Sequence, residues 1–265
     1  MNKVGFPLLG LEFNMNPIAI PLPFGSGGIR FYALIIVTGI LLALFMAVKE
    51  TKRIGEKTDY LYDMVLWGVP AGIIGARLYY VIFSFSEYKD NLISVFYIWE
   101  GGIAIYGGVI GALSAAVLYC RKHKLPTWKF LDIGAFGFLI GQCIGRWGNF
   151  VNAEAYGGET NLPWRMVVNG MSVHPTFLYE SLWNLCLFLV LWFTRKKYEF
   201  PGRTISLYMV GYGLGRVMIE GLRTDSLYLG PFRVSQLLSA VLIVFGVILY
   251  KNRKKAHIKS LGEIE

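Results

Sequence analysis

Charge is scarce in this chain. Only 16% of its 265 residues are charged and 55% are hydrophobic, whereas soluble domains carry about 25% charged residues. That shortage excludes an ordinary water-facing surface. Cysteine is also scarce. The three cysteines, Cys120, Cys143 and Cys186, lie in apolar segments without paired spacing, which excludes a disulfide framework and a zinc ribbon. No cluster of His, Cys and Asp suggests a metal ion, so neither metal nor cofactor is expected. The first 28 residues do not read as a cleavable signal peptide: Pro7, Pro17, Pro21 and Pro23 break them, and Lys3 is their only basic residue before Arg30. These residues read as an extended arm outside the first helix.

Long apolar runs are what the chain does have. Residues 31–48, 101–120 and 234–250 are free of charge and long enough to span a bilayer, which takes about 20 residues. Segments 60–84, 129–148, 176–194 and 204–221 are apolar but interrupted. The runs are continuous rather than alternating, which excludes a β-barrel. The expectation is an all-α integral membrane protein of seven transmembrane helices.

Most of the 26 Lys and Arg fall in four clusters: residues 49–58, 121–129, 195–203 and the tail from Lys251. With seven spans all four lie on one side, and the positive-inside rule makes that side cytoplasmic. The N-terminus is then outside and the C-terminus cytoplasmic. The clusters are explained by topology and by contact with anionic membrane lipids, not by nucleic acid.

Arg146 and Arg216 depart from that pattern. Each lies in an apolar stretch, where a lone arginine costs about 2.5–3.5 kcal/mol on insertion scales. At about 1.5 Å per residue from the basic ends of their segments, both lie in the outer half of the bilayer. Arg77, His174, Glu180 and Glu220 fall at similar depth. Mixed buried charges at one depth suggest a polar cavity open outward. Arginine rather than lysine favours forked binding of a phosphate or carboxylate. Asp63 and Asp132 lie near inner helix ends, where capping or pairing accounts for them.

Tyr212, Arg216, Glu220 and Arg223 follow helical spacings of four, four and three and share one face. Gly211 and Gly215, and likewise Gly137, Gly141 and Gly145, repeat at every fourth residue, a pattern that lets helices approach closely. No strand precedes these glycines, so they do not form a dinucleotide fingerprint. Residues 149–175 form the one long polar loop outside, an extracytoplasmic head inserted in a single membrane domain of residues 1–265. Cys143 lies one turn before Arg146 and reads as a small buried residue.

The stretch Gly145-Arg146-Trp147-Gly148-Asn149-Phe150-Val151-Asn152-Ala153-Glu154-Ala155-Tyr156-Gly157 resembles the signature of the bacterial prolipoprotein diacylglyceryl transferases. Arg30-Phe31-Tyr32, Gly101-Gly102-Ile103-Ala104-Ile105-Tyr106-Gly107, His174-Pro175-Thr176-Phe177-Leu178-Tyr179-Glu180 and Tyr212-Gly213-Leu214-Gly215-Arg216 resemble that family's first, third, fifth and sixth helices. The resemblance implies seven helices with the N-terminus outside, in the bacterial cytoplasmic (inner) membrane, with the active site facing the outer leaflet. It implies transfer of the diacylglyceryl group of phosphatidylglycerol to the lipobox cysteine of a prolipoprotein signal peptide, giving a thioether and glycerol phosphate. The family's two essential arginines match Arg146 and Arg216. Tyr32, Asn149, Glu154, Glu220 and Arg223 match further site residues, and Arg77, Asn152 and His174 join them as candidate substrate-binding residues. Tyr106 stands where many members carry a histidine, which leaves the base for the thiol open between Tyr106 and His174.

A transporter for an anion or an anionic lipid is the competing reading. It would need polar groups continuing to the inner face, and few are present beyond Asp63 and Asp132.

Overall fold

The apolar segments form the helices predicted for them. The computed structural model describes residues 2–21, 28–197 and 200–262; Pro23 lies outside these. Among the described residues the helices are α1 (Phe31–Arg53), α2 (Thr58–Phe83), α3 (Ile105–Lys122), α4 (Thr127–Asn152), α5 (Thr176–Thr194), α6 (Arg203–Glu220) and α7 (Val234–Gly262). Four of them, α1, α2, α5 and α7, are long and apolar enough to cross a membrane by length and composition. Their outward faces are apolar: Leu41 and Phe45 on α1, Leu66 and Trp67 on α2, Phe193 on α5 and Val241 on α7 are all exposed. Water would penalise such faces, and lipid tails do not. The chain is an all-α, membrane-associated helical protein.

Several boundaries differ from the sequence reading. The α3 helix begins at Ile105 rather than near residue 101, because Gly101 and Gly102 both take positive φ. This places Tyr106 on its first turn. The α4 helix runs on to Asn152, so Asn149 and Asn152 stand on its last turn and not in the loop. The α7 helix continues through the basic tail to Gly262.

Two compact units make up the chain, residues 48–130 and the remainder. In the first, α2 packs on α3 through glycine. A Cβ on Gly75 would stand 2.5 Å from the Gly107 carbonyl oxygen, and one on Gly72 would stand 3.3 Å from that of Gly108. Side chains there would force the helices apart. Tyr119 donates its hydroxyl to Asp63, the pairing expected of that carboxylate.

In the second unit, α6 lies against α5 and α7. A Cβ on Gly211 would meet Leu187, one on Gly215 would meet Trp183, and one on Gly213 would meet Ile243 and the Ser239 carbonyl. The packing role expected of these glycines is therefore what they have. Below them Phe136, Leu139, Ile140, Phe188, Leu191 and Trp192 form an apolar core shared by α4 and α5. Asp132 of α4 caps α6, with Oδ2 accepting from the Gly202 N–H and Oδ1 from the Ile205 N–H, each at 2.8 Å. A carboxylate at a helix N-terminus also meets the positive end of the helix dipole. Asp132→Ala is expected to lower stability by about 2 kcal/mol without changing the Michaelis constant for lipid. Thermal unfolding and kinetics on the same detergent-solubilised sample check both halves of that expectation.

The N-terminal arm does more than extend along the outside. Strands β1 (Asn2–Phe6) and β2 (Leu11–Met15) form a hairpin, and β3 (Ile18–Pro21) pairs with β4 (Gly28–Arg30). The head contributes β5 (Met166–Val168) and β6 (Met171–Val173), closed by Asn169 and Gly170 in positive φ, the conformation a two-residue hairpin turn requires. The strands line up in the order β2-β1-β5-β6, so arm and head are one sheet. Val4, Met166, Val168, Val173 and Phe177 bury its inner face, with Phe150 packed against them. The arm thus rests on the end of α4 and the start of α5. A last short hairpin, β7 (Tyr228–Leu229) with β8 (Phe232–Arg233), leads into α7.

Candidate functional site

Three helices each send a charged side chain to one point. Arg146 from α4 places Nη2 2.7 Å from Glu180 Oε1 of α5. Arg216 from α6 places Nη1 2.8 Å from the other oxygen, Oε2. Glu220, one turn along α6, meets Arg216 Nη2 at 2.7 Å. The two carboxylates are almost fully buried, while the guanidinium of Arg146 keeps some exposure. Two guanidiniums thus converge on one carboxylate, an arrangement that holds charge in a low-dielectric place only because every charge has a partner.

The convergence follows from local packing. On α4 and α5, Phe150 meets Phe177, Trp147 donates to Ser181, and Phe136 packs on Phe188 and Trp192. The numbers rise on one helix as they fall on the other, so α4 and α5 run antiparallel, with Arg146 and Glu180 near one level. Trp183 donates to the Gly211 carbonyl at 2.9 Å and fills the space beside Gly215. This brings α6, and with it Arg216, close to α5. Cys143 is half-buried rather than buried and faces Ser181 in the contact between α4 and α5, with Sγ 3.4 Å from Oγ.

Arg146 is steered from its other side. Its Nη1 donates to Asn149 Oδ1 at 3.2 Å, and Asn149 in turn donates to Glu154 Oε1 at 3.0 Å. Asn152 donates to the same oxygen at 3.1 Å. Glu154 therefore acts on Arg146 through Asn149. Its own place is set by the end of α4. Ala153 takes φ of 52°, its N–H donates to Phe150 O, and the Glu154 N–H donates to Asn149 O, which together close a Schellman motif. Alanine there, and again at Ala155 with φ of 56°, is strained where glycine would not be. Tyr32 of α1 lies over Gly148, where a Cβ would stand 2.5 Å from its ring.

His174 and Arg223 stand at the base of the head. Gly157 and Gly158 exchange backbone hydrogen bonds with His174 and Leu222, joining the loop after α4, the start of α5 and the end of α6. A side chain on Gly157 would meet His174 Cβ at 2.7 Å and the Leu222 carbonyl at 2.8 Å. His174 Nδ1 lies 3.4 Å from the Tyr179 hydroxyl. Arg223 forks onto both oxygens of Asp225 at 2.9 and 2.6 Å. These hydrogen bonds hold the Asp225 carboxyl below the usual carboxylate range, so the pair persists as pH falls through that range and breaks only below it.

Arg77 and Tyr106 belong to the other unit. Arg77 is buried and donates from Nε to Val95 O, from Nη1 to Gly101 O and Gly102 O, and from Nη2 to Ser94 O and Tyr97 O. Its guanidinium also lies over the Tyr88 ring. Tyr106 is partly exposed, with its ring 6.4 Å from that of Tyr79.

Three features of the site escaped the sequence reading. Glu180 was legible only as one acidic residue among several at its depth, because its partners come from two other helices. Arg233, which donates to the Glu220 carbonyl and so meets the end of α6, looked like one more charge before the last helix. The pairing of arm and head carried one available signal, the Asn169-Gly170 turn between β-branched residues.

Comparison with known proteins gives a consistent result. The family model described as prolipoprotein diacylglyceryl transferase matches residues 17–251. A Finegoldia magna protein named phosphatidylglycerol–prolipoprotein diacylglyceryl transferase is 43% identical over 261 residues, covering 98% of this chain and 99% of its own length. A protein of the same name from Clostridioides difficile is 39% identical over 263 residues, with 99% and 100% covered. One from Streptococcus pneumoniae is 46% identical over 254 residues, with 91% and 96% covered.

Proposed function

The chain belongs to the prolipoprotein diacylglyceryl transferase family, and from that premise we propose that the ion cluster around Glu180 is where the enzyme grips its lipid. The reaction transfers the diacylglyceryl group of phosphatidylglycerol to the lipobox cysteine of a prolipoprotein in the bacterial inner membrane. A carbon–sulfur bond forms at the glycerol carbon, the carbon–oxygen bond to phosphate breaks, and glycerol phosphate leaves with the electron pair. The thiol proton passes to a base, for which Tyr106 and His174 are the candidates.

The observation that carries the assignment is the meeting of Arg146 and Arg216 on a single carboxylate. A carboxylate and a phosphodiester present a similar pair of oxygens to a guanidinium fork. Groups placed to hold one anion between two helices suit a phosphate whose negative charge grows as the bond to carbon breaks. Donors fixed in advance at that charge stabilise the transition state more than the ground state. Glu220 and Asn149 orient the two forks, and Glu154 steadies Asn149. Tyr32, Asn152, His174 and Arg223 are assigned as further binding residues for lipid and peptide.

Seven spans, an outer N-terminus and a cytoplasmic C-terminus complete the reading. It rests on the basic clusters at residues 49–58, 121–129, 195–203 and the tail. The arm-and-head sheet is then the extracytoplasmic cap over the site.

The test uses sealed vesicles containing the enzyme and phosphatidylglycerol, with a lipobox peptide supplied to the outer face. A mass gain of one diacylglyceryl group on the peptide cysteine is expected. Absence of that gain, with folded protein present, overturns the assignment. In the same assay Tyr106→Phe is expected to lower turnover by about tenfold at unchanged melting temperature. Wild-type turnover would remove the Tyr106 hydroxyl from the chemistry.

A further inference from the structure

The cluster of Arg146, Arg216, Glu180 and Glu220 sets two cations against two anions, so it is neutral. Glu154, bound to Asn149 and Asn152, adds a further negative charge beside it, Arg233 at the Glu220 carbonyl adds a positive one, and Arg223 is matched by Asp225. A neutral cluster gives an incoming phosphodiester no net attraction. The present pairing is also imperfect. Arg216 Nη1 makes an aligned hydrogen bond to Glu180 Oε2, but Glu180 Oε1 and Glu220 Oε2 have only close charge contact, with no hydrogen bond in line. Forked geometry is the strength of a guanidinium, and here it goes largely unused.

One turn away lies a second anomaly. Asn184 on α5 is fully buried, and neither its Nδ2 nor its Oδ1 has a hydrogen-bond partner. A buried amide in that state costs about 1–3 kcal/mol or more. Asn184 stands four residues after Glu180, the spacing at which side chains on a helix are neighbours. On the antiparallel α4, Gln142 stands four residues before Arg146, and its Oε1 is likewise buried and unpaired. Its Nε2 donates to the Tyr208 hydroxyl, so one orphaned amide and one half-paired amide lie on the same side of the ion cluster, toward the Phe136–Phe188 core.

We propose that Glu180 is a built-in stand-in for the lipid phosphate: the phosphodiester displaces its carboxylate from Arg146 and Arg216, and Asn184 receives the displaced carboxylate through its Nδ2. Glu180 and Asn184 are then positioning residues. The first keeps both guanidiniums aimed at one point in the free enzyme, and the second stabilises the liganded arrangement. The orphaned amide is the strain of the free state that substrate binding relieves. The inference rests on the phosphate-clamp reading of Arg146 and Arg216.

The test measures inhibition by sn-glycerol 1-phosphate, with kcat and KM for phosphatidylglycerol, in nanodiscs. Glu180→Gln removes the competing anion and makes the cluster net positive. The variant is expected to bind glycerol phosphate about tenfold more tightly or better while kcat falls. Weaker binding of glycerol phosphate by that variant would make Glu180 a scaffold and overturn the proposal. Asn184→Leu, which removes the orphaned amide, is expected to raise the melting temperature yet raise KM about fivefold. Unchanged KM in that variant would also overturn the proposal, and this second arm stands even if Glu180→Gln does not fold. Arg216→Met, which removes the charge altogether, serves as the control for the clamp itself. If it abolishes glycerol phosphate inhibition while Glu180→Gln weakens binding, the clamp stands and only the stand-in falls. If it leaves inhibition intact, the clamp reading falls as well.

Discussion

Arg216→Lys is expected to lower kcat by about two orders of magnitude or more, and Arg146→Lys to do nearly the same, in protein that is still folded. The reason is geometric. Arg216 touches Glu180 on α5 with Nη1 and Glu220 on its own helix with Nη2. Arg146 likewise divides its two terminal nitrogens between Glu180 and Asn149. Lysine supplies the charge on a single nitrogen and cannot occupy both directions at once. The positive charge stays near the phosphate, so binding weakens less than turnover. Loss in kcat with a smaller change in KM is the mark of an interaction made chiefly in the transition state. The check is transfer kinetics with phosphatidylglycerol and a lipobox peptide at matched amounts of folded enzyme. Wild-type rates in both variants would refute the clamp.

Arg77→Met is expected to have the largest effect on stability, a loss of about 3–5 kcal/mol. Arg77 gathers the carbonyls of Ser94, Val95, Tyr97, Gly101 and Gly102. It thereby fixes the loop between α2 and α3. Gly102 tolerates this only without a side chain, since a Cβ there would collide with the guanidinium and stand 2.8 Å from the Tyr88 hydroxyl. Methionine fills similar space but leaves those carbonyls without their donor. Arg77→Lys is expected to fall between, because an ammonium reaches fewer of them. Thermal unfolding in detergent reads the loss directly. The companion measurement is KM for phosphatidylglycerol in Arg77→Lys at a temperature where it remains folded. A large rise in KM at unchanged stability would make Arg77 a substrate contact instead of a loop anchor.

Much of the fold was legible because membrane helices announce themselves. Apolar runs near 20 residues long have few alternatives once the backbone must satisfy its own hydrogen bonds. The helix ends were less legible. Gly101 and Gly102 delay α3, and α4 ends only at Asn152, where Ala153 takes positive φ, both local backbone events that hydropathy averages over. The tight α2–α3 approach depends on Gly72, Gly75, Gly107, Gly108 and Gly111, which the sequence reading did not single out for packing, because only the folded helices show that they meet.

By itself the sequence determined an all-α membrane protein, its family, and the arginines that stand out as charges in an apolar setting. A hydrophobic solvent makes each such residue conspicuous, whatever lies next to it. The tertiary structure alone decided the partners: that Glu180 joins Arg146 to Arg216, that Asn149 stands between Arg146 and Glu154, that Arg77 holds a loop, and that the N-terminal arm completes the sheet of the head. Length, apolarity and period are properties of one segment at a time. An ion pair between helices depends on which faces the packing of tryptophans and glycines turns toward each other, and no single segment contains that information.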